Sequence, residues 1–192
     1  MKDKTIGFAM TGSFCTFKKV IMELENLQRE TGATILPIMS ETAYSTDTRF
    51  GTASQFTKEI EAITGQKIIH TISGAEPIGP KNLLDALIIA PCTGNTLAKL
   101  ASGITDTSVT MAAKATLRNQ KPVIIAISTN DGLGAAAKNL GSLLNAKNIY
   151  FVPFTQDDPI QKNNSLVADM SRINETLSGA LHKEQHQPIL VR

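Results

Sequence analysis

Short runs of apolar residues alternate along the chain with longer segments in which apolar side chains recur every third or fourth position. The short runs are Thr5–Met10 (TIGFAM), Ala33–Met39, Leu84–Ala90 (LDALIIA), Pro122–Ile127 (PVIIAI) and Ile149–Val152, and each predicts a buried strand. Between them, Phe14–Glu30 carries Val20, Leu24 and Leu27 at helical spacing, with Gly32 placed to close the helix. Phe56–Ile63, Thr96–Ser102, Thr107–Leu117, Leu133–Asn145 and Ser165–His182 predict further helices. Strands that are apolar throughout and alternate with helices predict an α/β protein: a single-domain, three-layer αβα sandwich around a Rossmann- or flavodoxin-like parallel sheet. The domain spans residues 1–182, and residues 183–192 read as a loosely held tail. Ligands in such sheets bind beyond the carboxyl ends of the strands, so the residues just after each strand are the informative ones.

Composition narrows the function. The 192 residues are 42% hydrophobic and 19% charged, with a net charge of +2 and no Trp. That leaves neither a basic field for nucleic acid nor a stacking platform for bases. No apolar run approaches the ~20 residues that span a membrane, and the charged start Met1-Lys2-Asp3-Lys4 lacks the apolar region of a signal peptide, which predicts a cytoplasmic protein. Cys15 and Cys92 read as reduced thiols, and no Cys/His cluster has metal-ligand spacing, so no metal is expected.

Four loops after predicted strands carry candidate chemistry. In Thr11-Gly12-Ser13, Gly12 lets a backbone approach an anion closely and Ser13 offers a hydroxyl at a helix start, a setting that suits a phosphate. An ordinary strand–turn–helix junction uses the same residues. The dinucleotide fingerprint GxGxxG is absent. Ser40-Glu41-Thr42-Ala43 either presents Ser40 and Thr42 to a phosphate or ribityl group or caps a short helix. The third loop, Pro91-Cys92-Thr93-Gly94-Asn95-Thr96, is built of small residues that leave room for a flat ring, with Asn95 able to donate and accept. In Ser128-Thr129-Asn130-Asp131-Gly132, Asn130 either holds a carboxylate or a ring carbonyl or belongs to a capping loop.

With Leu97-Ala98-Lys99 and Gly103-Ile104-Thr105-Asp106, the third loop resembles the Pro-x-Ser-Ala-Asn-Thr-Leu-Ala-Lys-Ile-x-x-Gly-x-x-Asp signature of the homo-oligomeric flavin-containing cysteine decarboxylases. Thr11-Gly12-Ser13 and Met39-Ser40-Glu41-Thr42-Ala43 match that family's phosphate loop and second loop, and the resemblance covers roughly residues 4 to 147. It implies bound flavin mononucleotide (FMN), with Gly12, Ser13, Ser40, Thr42, Pro91, Cys92, Thr93, Asn95 and Thr96 as cofactor-binding residues. It also implies a homo-oligomer, a trimer or a multiple of three, in which the alanine-rich Met111–Ala115 stretch packs either against a neighbour or inside its own protomer.

The chain departs from the decarboxylases where their chemistry lies. Pro77 stands where they carry a catalytic His, and His70 lies seven residues before it. Their Pro-x-Met-Asn-x-x-Met motif is Ile127-Ser128-Thr129-Asn130-Asp131-Gly132-Leu133, which keeps the Asn and loses both Met. Gly74–Pro80, Pro91–Asn95, Ser128–Gly134 and Val152–Pro159 together resemble B-type subunits of spore-forming bacteria, over nearly the whole chain. That likeness implies work on dihydrodipicolinate in the mother cell. It also implies a partner A subunit that resembles a nicotinamide-dependent dehydrogenase, with NAD(P) on that subunit only. Asn130 is the first candidate for the substrate carboxylate, followed by Lys162 and Lys81. Two other readings stand beside it: an FMN-dependent decarboxylase of a cysteine-ended substrate, and a non-catalytic FMN-binding partner of the A subunit.

Overall fold

The computed structural model describes residues 1–191. Five parallel strands form the centre: β1 (Thr5–Met10), β2 (Thr34–Met39), β3 (Ala86–Cys92), β4 (Val123–Thr129) and β5 (Ile149–Phe151). Their spatial order is β2-β1-β3-β4-β5. Every residue of β3 is buried, as expected for a strand covered on both faces by helices. The expected α/β architecture is the observed one, with a seven-stranded sheet once two further strands are counted.

Those two strands correct the expectation of one long helix over Ser165–His182. Phe154–Asp158 (β6) and Lys162–Ala168 (β7) form an antiparallel hairpin instead. Helix begins only at Ile173, after a 3-10 turn over Met170–Arg172. The hairpin turn is made by Asp158, whose carboxylate accepts from the Ile160 and Gln161 amides at 3.1 and 2.9 Å. β4 runs past the end of β5, and β7 pairs with that overhang through Ser128–Val167 and Thr129–Leu166. The sheet therefore switches partner where β4 reaches its carboxyl end.

The helices are α1 (Phe17–Thr31), α2 (Glu41–Ser45), α3 (Ala53–Thr64), α4 (Ile72–Ala75), α5 (Gly94–Ala101), α6 (Ser108–Arg118), α7 (Ala137–Leu144) and α8 (Ile173–Leu181). α1 buries Val20, Ile21, Leu24 and Leu27, and stops at Gly32, whose φ of 59° lets its amide close the last turn on the Gln28 carbonyl at 3.2 Å. Ser40, Thr52, Thr93 and Thr107 cap α2, α3, α5 and α6, each hydroxyl accepting the amide three residues on at 3.1–3.2 Å. Each such cap contributes ~1 kcal/mol.

The alanine-rich stretch serves its own protomer: Ala112 and Ala113 are fully buried, and Ala115 packs against Gly79. The tail expected to hang loosely is held instead. Gln185 bonds both the amide and the carbonyl of Phe151, at 2.8 and 2.7 Å, and Leu190 bridges to Phe154. Residue 192, the end of that tail, lies outside the described residues. Among the described residues, no helix is long and apolar enough to cross a membrane.

Candidate functional site

The carboxyl ends of β1, β3 and β4 and the β6–β7 hairpin enclose an open cleft of about 800 Å³. Its first wall is the loop after β1. Thr11 is buried and ties this loop to the one after β3: its amide and hydroxyl donate to the Pro91 carbonyl at 3.2 and 2.7 Å, and its hydroxyl accepts from the Thr93 amide at 3.0 Å. Gly12 and Ser13 then face the cleft, with the Ser13 hydroxyl 2.7 Å from the Ser128 hydroxyl at the end of β4. A Cβ built on Gly12 would meet nothing closer than Phe14 at 3.6 Å and the Thr42 methyl at 4.0 Å. Packing within the protein therefore does not demand glycine there, and Gly12 lines the cleft.

The second wall is the start of α5. Gly94 lies so close to the loop after β4 that a Cβ would fall 2.6 Å from Thr129 Oγ1 and 2.7 Å from Asp131 Oδ1. Thr129 Oγ1 donates to Asp131 Oδ1 at 2.5 Å. Asn95 and Asn130 are exposed on the two sides of this contact, and both line the cleft.

The hairpin supplies the third wall. Ser165 donates to the Thr129 carbonyl at 3.1 Å, and the Leu133 amide donates to the Asn164 carbonyl at 3.0 Å. Gly132 is pressed against Leu166, 2.6 Å from the position of a Cβ. Lys162, at the cleft edge, pairs with Asp157 at 2.6 Å across the hairpin. That hydrogen bond, together with the Asp157 charge, raises the Lys162 pKa above the ordinary lysine value.

The candidate residues fall into three groups. Gly12, Ser13, Thr93, Asn95, Asn130 and Lys162 line one cleft. Ser40 and Thr42 sit beside it: Ser40 donates its amide to the Met10 carbonyl at 3.0 Å, and Thr42 approaches Gly12. Pro91, Cys92 and Thr96 are buried beneath the third loop, where Thr96 bonds the capping Thr93. Burial pushes the Cys92 thiol far up from its ordinary pKa, which keeps it protonated and unreactive. Lys81 lies in the turn leading into β3, at the other end of that strand from the cleft, and is not part of it. His70 stacks on Tyr44, with ring centroids 3.7 Å apart and planes 5° from parallel.

Within the fourth loop the sequence pattern gave a role to Asn130 alone and none to Ser128, Thr129 or Asp131, and it gave none to the hairpin residues Asp157 and Ser165. The position of the polar run Ser128–Asp131 just after a buried strand marked the loop but not which of its side chains face the cleft. Asp158-Pro159 marked the hairpin turn.

A doubly covered parallel sheet with a polar cleft at the carboxyl ends of its strands is the arrangement of the flavodoxin-like class, in which ligands bind at that end of the sheet. The chain belongs to the Flavoprotein family, whose model matches residues 1–180. It is 50% identical over 191 residues to the B subunit of dipicolinate synthase from Bacillus subtilis, with 100% of this chain and 95% of the relative covered. The crystal structure of the corresponding B subunit from Bacillus halodurans superposes with a TM-score of 0.90 at 48% identity, covering 98% of this chain and 96% of that one. The FMN-dependent cysteine decarboxylase SpaF shares the fold, with a TM-score of 0.68 at 22% identity over 94% of this chain and 96% of its own.

Proposed function

We propose that this chain is the FMN-binding component of a two-chain oxidoreductase that converts dihydrodipicolinate to dipicolinate together with a dipicolinate synthase A subunit. The observation that carries this reading is the 50% identity over 191 residues to a dipicolinate synthase B subunit. The cleft supports it. The space left by Gly12, with the Ser13 hydroxyl beside it, suits the phosphate of FMN, and Ser40 and Thr42 flank that position. Thr93 and Asn95 line the cleft over the buried Pro91, Cys92 and Thr96, and these small residues would leave room for a flavin ring. When bound, FMN supplies a ring able to accept a hydride.

The chain's own residues bind and orient. Asn130 presents an amide whose NH₂ group can donate to a substrate carboxylate. Lys162 is the cation among the described cleft-lining residues, so a second carboxylate would turn to it, and it must share itself with Asp157. NAD(P) belongs to the A subunit in this reading, the present chain assembles as a trimer or a multiple of three, and the pair works in the mother-cell cytoplasm of a sporulating bacterium. Pro77, which can neither take nor give a proton, replaces the catalytic His of the cysteine decarboxylases.

The test is to purify the chain, read bound flavin by visible absorbance and its mass by light scattering, and assay it alone and with the A subunit. Flavin in the chain and dipicolinate formation by the pair are expected, with no carbon dioxide released from cysteine-ended peptides. A flavin-free chain that leaves the A subunit's rate unchanged would refute the proposal.

A further inference from the structure

Four side chains lining the cleft are titratable: Cys15, Asp131, Asp157 and Lys162; neither His nor Glu is among its described lining residues. Asp157 and Lys162 engage each other at 2.6 Å. Cys15 is exposed at the rim, where its nearest polar partner is the Ser13 hydroxyl, 3.9 Å from the sulfur. Asp131 is the carboxylate left without a cation.

Its setting is a prepared one. Asp131 Oδ1 accepts from Thr129 Oγ1 at 2.5 Å, while Oδ2 has no hydrogen-bond partner among the described residues. The carboxylate is wedged against Gly94, with room there for a hydrogen but not for a Cβ. The backbone that carries it is pinned as well: the Asp131 carbonyl accepts the Gly134 amide at 2.8 Å, and the neighbouring Thr129 carbonyl accepts from Ser165 at 3.1 Å. Asn130, placed to hold a substrate carboxylate, is the adjacent residue.

We propose that Asp131 is the general base of the oxidation, taking a ring proton through its free Oδ2. The proposal rests on the function argued above. Oxidising a dihydropyridine dicarboxylate to the aromatic ring removes two hydrogens. One leaves a ring carbon with its bonding electron pair, as a hydride that bound FMN would accept. The other leaves the neighbouring ring atom as a proton, and the electrons of that bond enter the aromatic system. The proton passes to Asp131, which returns it to water at the open mouth of the cleft. The same negative charge repels the dicarboxylate, so Asp131 accelerates the reaction while weakening the grip on substrate and product. A residue with only a structural role would not pair these two effects.

The experiment compares wild type with Asp131→Asn, each combined with the A subunit, and measures dipicolinate formation, flavin content and calorimetric affinity for dipicolinate. The variant is expected to form dipicolinate at least ~100-fold more slowly. It should keep its flavin and bind dipicolinate about tenfold more tightly, because a like charge has gone. A normal rate in the variant, or a joint loss of flavin and product binding, overturns the assignment. If Asp131→Asn does not accumulate as folded protein, Asp131→Glu carries the test: it keeps the charge but shifts it by one methylene, so the rate should fall at least ~10-fold at unchanged affinity. An unchanged rate there also overturns it. A wild-type pair that forms no dipicolinate overturns the function proposed above, whereas an active pair with a fully active Asp131→Asn variant overturns the role of Asp131 alone.

Discussion

The hydroxyls of Ser13 and Ser128 lie 2.7 Å apart although 115 residues separate them along the chain. Their bond joins the loop after β1 to the end of β4, and both residues line the cleft. Ser13→Asp places a carboxylate where the FMN phosphate is proposed to sit. The variant should retain at least ~10-fold less flavin at equal ligand concentration, since two like charges would face each other there. Ser13→Ala removes one hydrogen bond, worth ~1 kcal/mol, and should keep most of its flavin. Absorbance of the dialysed proteins distinguishes the two, and full flavin in Ser13→Asp would move the phosphate elsewhere.

Asn130 is exposed in the cleft and spends no side-chain hydrogen bond on the described protein. Asn130→Ala should therefore fold and bind flavin normally while raising the KM for dihydrodipicolinate about tenfold, the loss of one hydrogen bond to a charged group. Steady-state assay with the A subunit gives the answer. Unaltered kinetics would remove Asn130 from the site.

The two thiols differ in access: Cys15 is exposed and Cys92 is fully buried and held protonated by its burial. An aromatic disulfide reagent at neutral pH should label one thiol per native chain and two after denaturation. Cys15→Ser should abolish the native signal. Rapid native labelling of Cys92 would show that the third loop opens.

Asp85 links the start of β1 to the turn before β3. Its carboxylate accepts from the Thr5 amide at 2.9 Å and pairs with Lys4 at 3.1 Å and Lys121 at 3.7 Å. Burial acts to raise its pKa, but the Thr5 amide and the two lysines outweigh burial and hold it below the ordinary aspartate value. A depressed folded-state pKa means that this stability is present above the unfolded value and lost as pH falls through the folded one. Asp85→Asn should thus cost ~1 kcal/mol at neutral pH, once solvent screening of the half-exposed lysines is allowed for. The difference from wild type should shrink below about pH 4. Urea denaturation at pH 7 and pH 3 tests both arms, and an equal difference at the two pH values would contradict the assignment.

The parallel core was legible because burial on both faces leaves a mark that needs no partner to be seen. Leu87, Ile88 and Ile89 in β3 and Ile124, Ile125 and Ile127 in β4 are all fully buried, and the apolar runs say so directly. The end of α1 was legible in Gly32 for a similar reason: a left-handed residue is a local requirement. The hairpin left no such mark. In β7, Lys162, Asn163 and Asn164 are all exposed, then Ser165 and Leu166 are both buried, so no period-two alternation survives. The burial is imposed by the overhang of β4, more than thirty residues upstream.

The sequence alone determined the alternation of elements, the loops that gather at the carboxyl ends of the strands, and the residue types those loops present. Those features follow from hydrophobic periodicity and from local turn and cap chemistry, which act over a few residues. Only the tertiary structure decided which polar groups remain available. Lys99 and Asp106, prominent in the third-loop signature, turn out to serve each other in an ion pair at 2.7 Å. Thr11 is consumed in tying two loops together, and Asp157 is taken by Lys162, while Asn130 and one oxygen of Asp131 have no side-chain partner among the described residues. Availability depends on partners brought from distant parts of the chain, so spacing along the sequence cannot express it.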